Sequence, residues 1–486
     1  MINSIEHSEL TFNIIEKKIS DFLYEIGSDL LQKTLERIDD ELFNDRDKTV
    51  YRYKGKRKRT LNTCFGSVTY QRRCYKEKIN RDESQTIFLL DDTLDIELLG
   101  KSTLKQAVNL TNEASAESFR NVEKQNDFLM GCRPSHQTIK NRVYDIGHLL
   151  EISEMDRIQK YFNNELDGKK QVQVLFEEKD GLFLSIQGEK HKGKNHKKEI
   201  KLAKVYEGWQ PETVVSKRYK TVNTLYFAGY DKSEQFDAIV NSGITEIYDM
   251  DYLETKILNG DGASWISKEI DLDASIQYQL DFFHIYQKAT RNISNSDDRK
   301  RIKNLIKNKK FDELVIECKK LYEMQSDDKE KEKLREVYNY YENNKDFLVR
   351  YMDRENFTLD TEQELRDLGT MEGSVSNVLA RRMKGKGLSW SMTGAEAIAK
   401  ILCLNHSKCD LLGEIEEITK KKINKDFKYD VKNEIDNELN KAKKDINGAV
   451  RGILYEKGSK FSNRESHIRV FDNKMTQLFR ALRGLL

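Results

Sequence analysis

The 486-residue chain sets 84 lysines and arginines against 82 acids, a formal charge of +2, so no global field marks it for nucleic acid and any basic surface must be local. Its six scattered cysteines, with no Cys-x-x-Cys pair, argue against a zinc ribbon or a disulfide scaffold, and no apolar run approaches the roughly 20 residues that cross a bilayer. Only 37% apolar residues, 34% charged residues and two prolines fit long, solvent-washed helices in a chain of several domains, expected in the cytoplasm with reduced thiols.

In chain order, Phe12, Ile15, Ile19, Phe22, Leu23, Ile26, Leu30 and Leu31 recur at helical spacing and predict one or two amphipathic helices over residues 1–48. Alternation and the turn Phe65-Gly66-Ser67 predict a β-hairpin over 49–80. Its polar residues Arg57, Lys58, Arg59, Arg72 and Arg73, interleaved with tyrosines, are candidates for contact with nucleic acid, because cations meet phosphates and aromatic rings stack on bases. Residues 100–150 read as three helices with a break at Gly131-Cys132-Arg133-Pro134 and Ser135 as the last N-cap, a helix-turn-helix-like pattern. There His136, Gln137, Lys140, Asn141 and Arg142 are the groups expected to face double-stranded DNA.

Residues 170–290 alternate strand and helix. The strands are Val172–Phe176 running on to Leu182–Ile186, Ile200–Tyr206, Thr224–Ala228, Lys256–Leu258 and Ile276–Leu280, with a helix over Phe236–Ile247. This order predicts an α/β core of RNase H-like type with a mixed sheet. The link before the second strand is basic, with Lys192, Lys194, Lys197 and Lys198 expected near backbone phosphates. Residues 291–366 are charged and helical, an all-α insertion. The core resumes over 367–410, and 411–486 is a charged helical end.

The stretch Asn259-Gly260-Asp261-Gly262 organises the rest. It puts a carboxylate between two glycines where a buried strand should stop, and strand ends are where ligands meet α/β sheets. The fold order makes the strands carrying Asp180 and Asp261 neighbours and brings Glu372, at a helix start after the insertion, towards them. Three such acids suit two divalent cations about 3.5–4 Å apart, and all-oxygen ligands select Mg²⁺ or Mn²⁺ over zinc. Lys179, between Glu178 and Asp180, should point to the opposite face of its strand. His284 taken alone reads as a packed histidine, or as a group orienting a phosphate or carboxylate.

Several pieces recur together: Glu178-Lys179-Asp180 before Leu184-Ser185-Ile186-Gln187, Leu258-Asn259-Gly260-Asp261-Gly262-Ala263-Ser264-Trp265-Ile266, Asp281-Phe282-Phe283-His284, and Gly369-Thr370-Met371-Glu372-Gly373 with Ala380-Arg381-Arg382-Met383. In these, and in their order along nearly the whole chain, the protein resembles bacterial insertion-sequence transposases of the ISLre type, a branch related to the Mutator-like DDE superfamily. The resemblance implies an RNase H-like catalytic core with an all-α insertion, acting with Mg²⁺ on transposon-end and target DNA. Asp180, Asp261 and Glu372 match the DDE acids, and Asp281 with His284 matches an Asp-x-x-His signature. A homo-oligomer is the expected working form, since two DNA ends must be held together. A non-catalytic DNA-binding descendant and a metal-dependent nuclease are the competing readings.

Overall fold

The computed structural model describes residues 12–77, 86–94, 96, 99–129, 134–187, 196–213, 216–267, 275–355, 357, 359, 361, 363–385 and 387–419. They belong to two compact units divided between residues 97 and 98, each taken by itself below.

In the first unit the helical spacing resolves into a single helix, α1 (Phe12–Asp45). Its C-terminal half buries Leu35, Ile38 and Leu42, whereas Phe12, Phe22 and Leu23 nearer its start are exposed. The expected hairpin follows as β1 (Tyr51–Thr63) and β2 (Gly66–Glu77), antiparallel and closing on the pair Thr63 and Gly66. Leu61, Val68, Tyr70 and Cys74 form its buried side. A short helix, α2 (Leu89–Thr93), follows the hairpin.

The second unit opens with α3 (Leu104–Ala116), α4 (Phe119–Leu129) and α5 (His136–Phe162). Ser135 caps α5 as expected, its hydroxyl accepting from the Thr138 amide. The helices are not a separate module. Over its 27 residues α5 buries Ile139, Val143, Ile146 and Leu150 in one apolar cluster with Leu184 and Ile200 of the sheet. Gly147 makes the close approach to the later helix carrying Ala397 feasible, since a Cβ at Gly147 would lie 2.3 Å from that of Ala397.

The sheet contains β3 (Val174–Ser185), β4 (Lys197–Tyr206), β7 (Leu225–Gly229), β8 (Thr255–Gly260) and β9 (Ile276–Leu280) in the order β7-β4-β3-β8-β9. A small hairpin, β5 (Trp209–Pro211) with β6 (Tyr219–Thr221), precedes β7. The pairs β7–β4 and β4–β3 are antiparallel, and β3–β8 and β8–β9 are parallel. The central strand β3 runs unbroken through Glu177–Gly181, joining two apolar runs into one 12-residue strand. Helix α6 (Ser233–Ile247) covers one face through Phe236, Ile239, Val240 and Ile244.

A short α7 (Ser264–Ser267) precedes β9, and the insertion follows as α8 (Phe282–Asn292), α9 (Ser296–Lys307), α10 (Phe311–Met324) and α11 (Asp328–Asn343). It is no independent bundle: Ile302, Leu314, Val337 and Tyr341 share a core with Leu258, Tyr278 and Leu280 of the sheet. The chain then returns through α12 (Met371–Ser374), a π-helical segment Val375–Ala380 and α13 (Arg381–Met383). The last described elements are α14 (Met392–His406) and α15 (Leu411–Thr419). Of the expected C-terminal region 411–486, everything after 419 lies outside the described residues. Among the described residues no helix is long and apolar enough to cross a membrane.

A candidate acid and histidine cluster at the strand ends

Alternation along β3 sorts its charges. Val174, Phe176, Glu178, Asp180, Leu182 and Leu184 share one face, so two carboxylates sit between two apolar clusters. Lys179 faces the other way, as its strand position requires. Its ammonium lies 2.8 Å from Asp237 of α6 and 3.0 Å from Glu177.

On the Glu178 face the register builds two rows. Glu178 lies opposite Lys204 on β4 and Asn259 on β8, and Asn259 lies opposite Gln279 on β9. The amide of Gln279 donates to Asn259 at 3.2 Å, and Asn259 donates to Glu178 at 3.2 Å. Two residues further along each chain come Asp180, Asp261 and Asp281. The polar ladder thus fixes the spacing of the acids beyond it. β8 and β9 have stopped there, so Asp261 and Asp281 stand on turns.

Each acid is held differently. Asp180 is largely buried and accepts from the Gly181 amide at 2.7 Å. Asp261 accepts from the Ala263 amide at 2.8 Å, and its carbonyl takes the Tyr340 hydroxyl of the insertion at 3.0 Å. The next residue, Gly262, has φ +89°, a left-handed turn in which a side chain would be strained. Asp281 is buried and caps α8, accepting from the Phe283 amide at 2.8 Å. That cap sets the first turn of α8, which carries His284. The His284 Nδ1 stands 3.7 Å from Asp281, an ionic contact beyond hydrogen-bonding distance.

The outcome is a cluster in which one ligand atom each from Asp180, Asp261 and His284 lies within 4.8 Å of the others. Glu372 is outside that group. It is exposed on α12, yet near enough for its charge to act on Asp180. Burial, with the charges of Asp261 and Glu372, drives the Asp180 pKa up to about 6 against the pull of the Gly181 amide and His284. Burial alone would lower His284, but Asp281, Asp180 and Asp261 outweigh it and raise its pKa. Two carboxylates and an imidazole, partly desolvated and not neutralised by any lysine or arginine in the group, form a donor set that fits a divalent cation.

Glu178 is no part of that donor set. Fully buried, it accepts from Tyr206 at 3.0 Å, from the amides of Gly369 and Thr370 at 3.0 Å each, from Asn259, and from the Thr370 hydroxyl. This saturated carboxylate anchors the loop that leads into Glu372. A repeating signal in the sequence marks it: Glu178-x-Asp180, Asn259-x-Asp261 and Gln279-x-Asp281 each put a polar residue on a buried strand two places before an acid. Glu199, whose pKa is raised by burial and by Asp261, is a further acid of this region that sequence reasoning missed.

The residues expected to meet DNA divide. Arg57 and Lys58 are exposed on β1. Arg59 instead lies 2.5 Å from Asp91, Arg72 also pairs with Asp91, and Arg73 pairs with Asp39 and Asp40 at 2.6 Å. On α5, His136, Gln137 and Asn141 are exposed and Lys140 half-buried, with His136 bonded to Glu123 at 2.8 Å. Arg142 points inward: it is buried, 3.0 Å from Asp145, and packs where a side chain at Gly100 would have to go. Lys197 and Lys198 are exposed at the start of β4, while Lys192 and Lys194 lie outside the described residues.

Fold and site together define an α/β protein with a mixed five-stranded sheet beside which two aspartates and a histidine gather. The chain belongs to an uncharacterised protein family, UPF0236, whose model matches residues 6–422. A UPF0236 protein of Caldanaerobacter subterraneus subsp. tengcongensis is 25% identical over 99% of this chain and 92% of its own length, and its name joins eleven locus designations. A UPF0236 protein from the vanSb 3′ region of Streptococcus gallolyticus is 24% identical over 80% of this chain and 81% of its own. Among solved structures, the Drosophila P element transposase strand transfer complex aligns over 76% of this chain and 91% of its own, with 11% identity and a TM-score of 0.20.

Proposed function

We propose that this chain is a DDE-type DNA transposase on an RNase H-like core, of the ISLre insertion-sequence type, and that it cuts and joins phosphodiester bonds with Mg²⁺ or Mn²⁺. One observation carries the reading: Asp180 in the middle of β3, Asp261 just past the end of the neighbouring β8 and His284 in the first turn of α8 converge, with Glu372 acting on Asp180 by its charge. The strand order and directions support the RNase H-like assignment. The joined locus designations of the Caldanaerobacter relative are what a sequence copied about a genome leaves behind.

In this reading Asp180, Asp261 and His284 hold the metal, with Glu372 completing the acidic set at the surface. A bound divalent ion supplies charge neutralisation for the phosphodiester oxygens and favours deprotonation of water or a 3′-hydroxyl. Asp281 orients the helix that carries His284, and Glu178 fixes the loop that carries Glu372. The exposed and half-buried basic and polar groups supply DNA contacts: Arg57 and Lys58 on the hairpin, His136, Gln137, Lys140 and Asn141 on α5, and Lys197 and Lys198 on β4. Arg59, Arg72, Arg73 and Arg142 are instead structural, each set against an acid of the protein. Two copies holding two DNA ends form the working assembly.

The test is cleavage and strand transfer with purified protein on DNA carrying the flanking inverted repeats, in Mg²⁺ or Mn²⁺, with Asp261→Asn as control. Joined products lost in the control support the proposal. Cleavage without joining makes the protein a nuclease, and binding without cleavage makes it a DNA-binding protein only.

A further inference from the structure

On the same side of the sheet as Glu372, the second unit holds a cavity of about 590 Å³, within the usual range of small-ligand sites. Its wall includes Lys204, Tyr219, Lys220, Tyr226, Arg381 and His406, and among the described residues no aspartate or glutamate lines it. Lys220 and Arg381 are exposed, and among the described residues neither is in an ion pair. They contrast with Arg59, Arg72 and Arg73 of the hairpin, which pair with acids of the protein. Lys204 closes the floor: it is buried and donates to the Thr370 hydroxyl at 2.6 Å, and its environment lowers its pKa to about 8, chiefly through burial. Tyr219 and Tyr226 provide aromatic surface. The Arg366 guanidinium lies 3.5 Å over the Tyr219 ring, and His406 meets Tyr226 edge-on.

The place matters as much as the lining. Thr370 and Gly373 belong to the cavity wall and bracket Glu372, whose charge acts on Asp180. The cavity wall therefore adjoins Glu372 in the chain on both sides. Unpaired cations beside tyrosines are the combination that holds single-stranded nucleic acid.

We infer that this cavity binds one nucleotide unit, its phosphate on Lys220 and Arg381 and its base against the tyrosines, and so grips the strand beside the reacting phosphodiester. The inference rests on the reading of the acid cluster as a phosphodiester-processing site, but its binding step needs no metal.

The experiment measures fluorescence anisotropy of a labelled single strand of about ten nucleotides with the full-length protein in EDTA, where no cleavage interferes. Lys220→Ala/Arg381→Ala removes both cations from the one phosphate they hold and should lower the salt slope by about 0.7. Tyr219→Ala should weaken binding roughly tenfold through lost stacking. Lys307→Ala/Lys319→Ala, removing equal charge from exposed sites on α9 and α10, should leave both quantities unchanged. Thermal melts verify that all variants are folded. Excess adenosine monophosphate separates the two sources of the ligand. Displacement of the strand from wild type but not from the double variant assigns the cavity to free nucleotides as well, and no displacement assigns it to a nucleotide within a strand. Binding by the double variant equal to that of the lysine control overturns the inference. Absence of metal-dependent cleavage in wild type, with strand binding still lost in the double variant, overturns the transposase reading and leaves the cavity assignment standing.

Discussion

Two charged clusters lie on opposite faces of β3. On the α6 side, Glu177, Lys179, Asp237 and Lys256 are buried, with Lys256 2.9 Å and Lys179 3.0 Å from Glu177, and two acids meet two lysines. On the other face, among the described residues, His284 is the cation whose charge acts on Asp180, while Asp261 and Glu372 add negative charge. Desolvated charges that are matched inside the protein need nothing from outside, whereas an unmatched set of acids is stable only when protonated or when a cation joins it. The same contrast separates Glu178, saturated by donors, from Asp180 two residues later. It teaches that pairing, rather than residue type, divides structure from site here.

The largest effect should come from the unmatched cluster. Asp261→Asn is expected to lower metal-dependent DNA cleavage by about 10²–10⁴-fold with strand binding retained, measured on end-labelled substrate. Cleavage at wild-type rate would remove Asp261 from the chemistry and dissolve the contrast. Lys179→Met attacks the matched cluster instead. It leaves Glu177 and Asp237 short of a cation in the interior and should cost about 3–5 kcal/mol in urea unfolding. A loss below about 1 kcal/mol would show that the network is wetter than its burial indicates.

Glu178→Gln tests the saturated carboxylate. The volume is kept, but an acceptor for the Gly369 and Thr370 donors is lost, so stability should fall by about 1–3 kcal/mol. Cleavage should fall too, because the loop leading to Glu372 loosens, while the metal dependence of the melting temperature should persist. If that dependence vanished, Glu178 would be a ligand after all.

Much of this was legible in the sequence. The succession of the strands along the chain, the turn Gly260-Asp261-Gly262, the Ser135 cap and the opposite orientation of Lys179 follow from local pattern and alternation, which a sheet obeys wherever it lies. What was hidden depends on partners distant in the chain. Arg59 and Arg72 look like free cations until Asp91 arrives from α2, and Arg73 until Asp39 arrives from α1. Arg142 reads as a groove-facing residue until the length of α5 commits it to the core. Glu178 was indistinguishable from a metal ligand, since only a loop 191 residues later saturates it. The hydrophobic pattern of the insertion was plain, but not that it shares its core with β8 and β9, because either arrangement needs the same apolar seam.

The smallest expected effect concerns proton and metal linkage at Asp180. Its folded pKa of about 6 exceeds the ordinary 3.8, so the folded state resists its ionisation. The sign follows from that. In EDTA the contribution of Asp180 to stability is fully present below pH 3.8 and is lost as the pH rises through about 6. The loss amounts to at most about 3 kcal/mol, less whatever water reaching the cluster screens. Asp180→Asn has no proton to lose, so its melting temperature should not share that decline, and near neutral pH without metal it should exceed wild type by a few degrees. Mn²⁺ reverses the order. It competes with the protons on Asp180 and His284, so its stabilisation of wild type should grow as the pH rises through about 6 and be small in the variant. Melts at several pH values, with EDTA or with Mn²⁺, read both arms. If wild type and Asp180→Asn declined in parallel in EDTA and responded equally to Mn²⁺, the carboxylates would be matched by some group of the protein itself, and the two faces of β3 would not differ in kind.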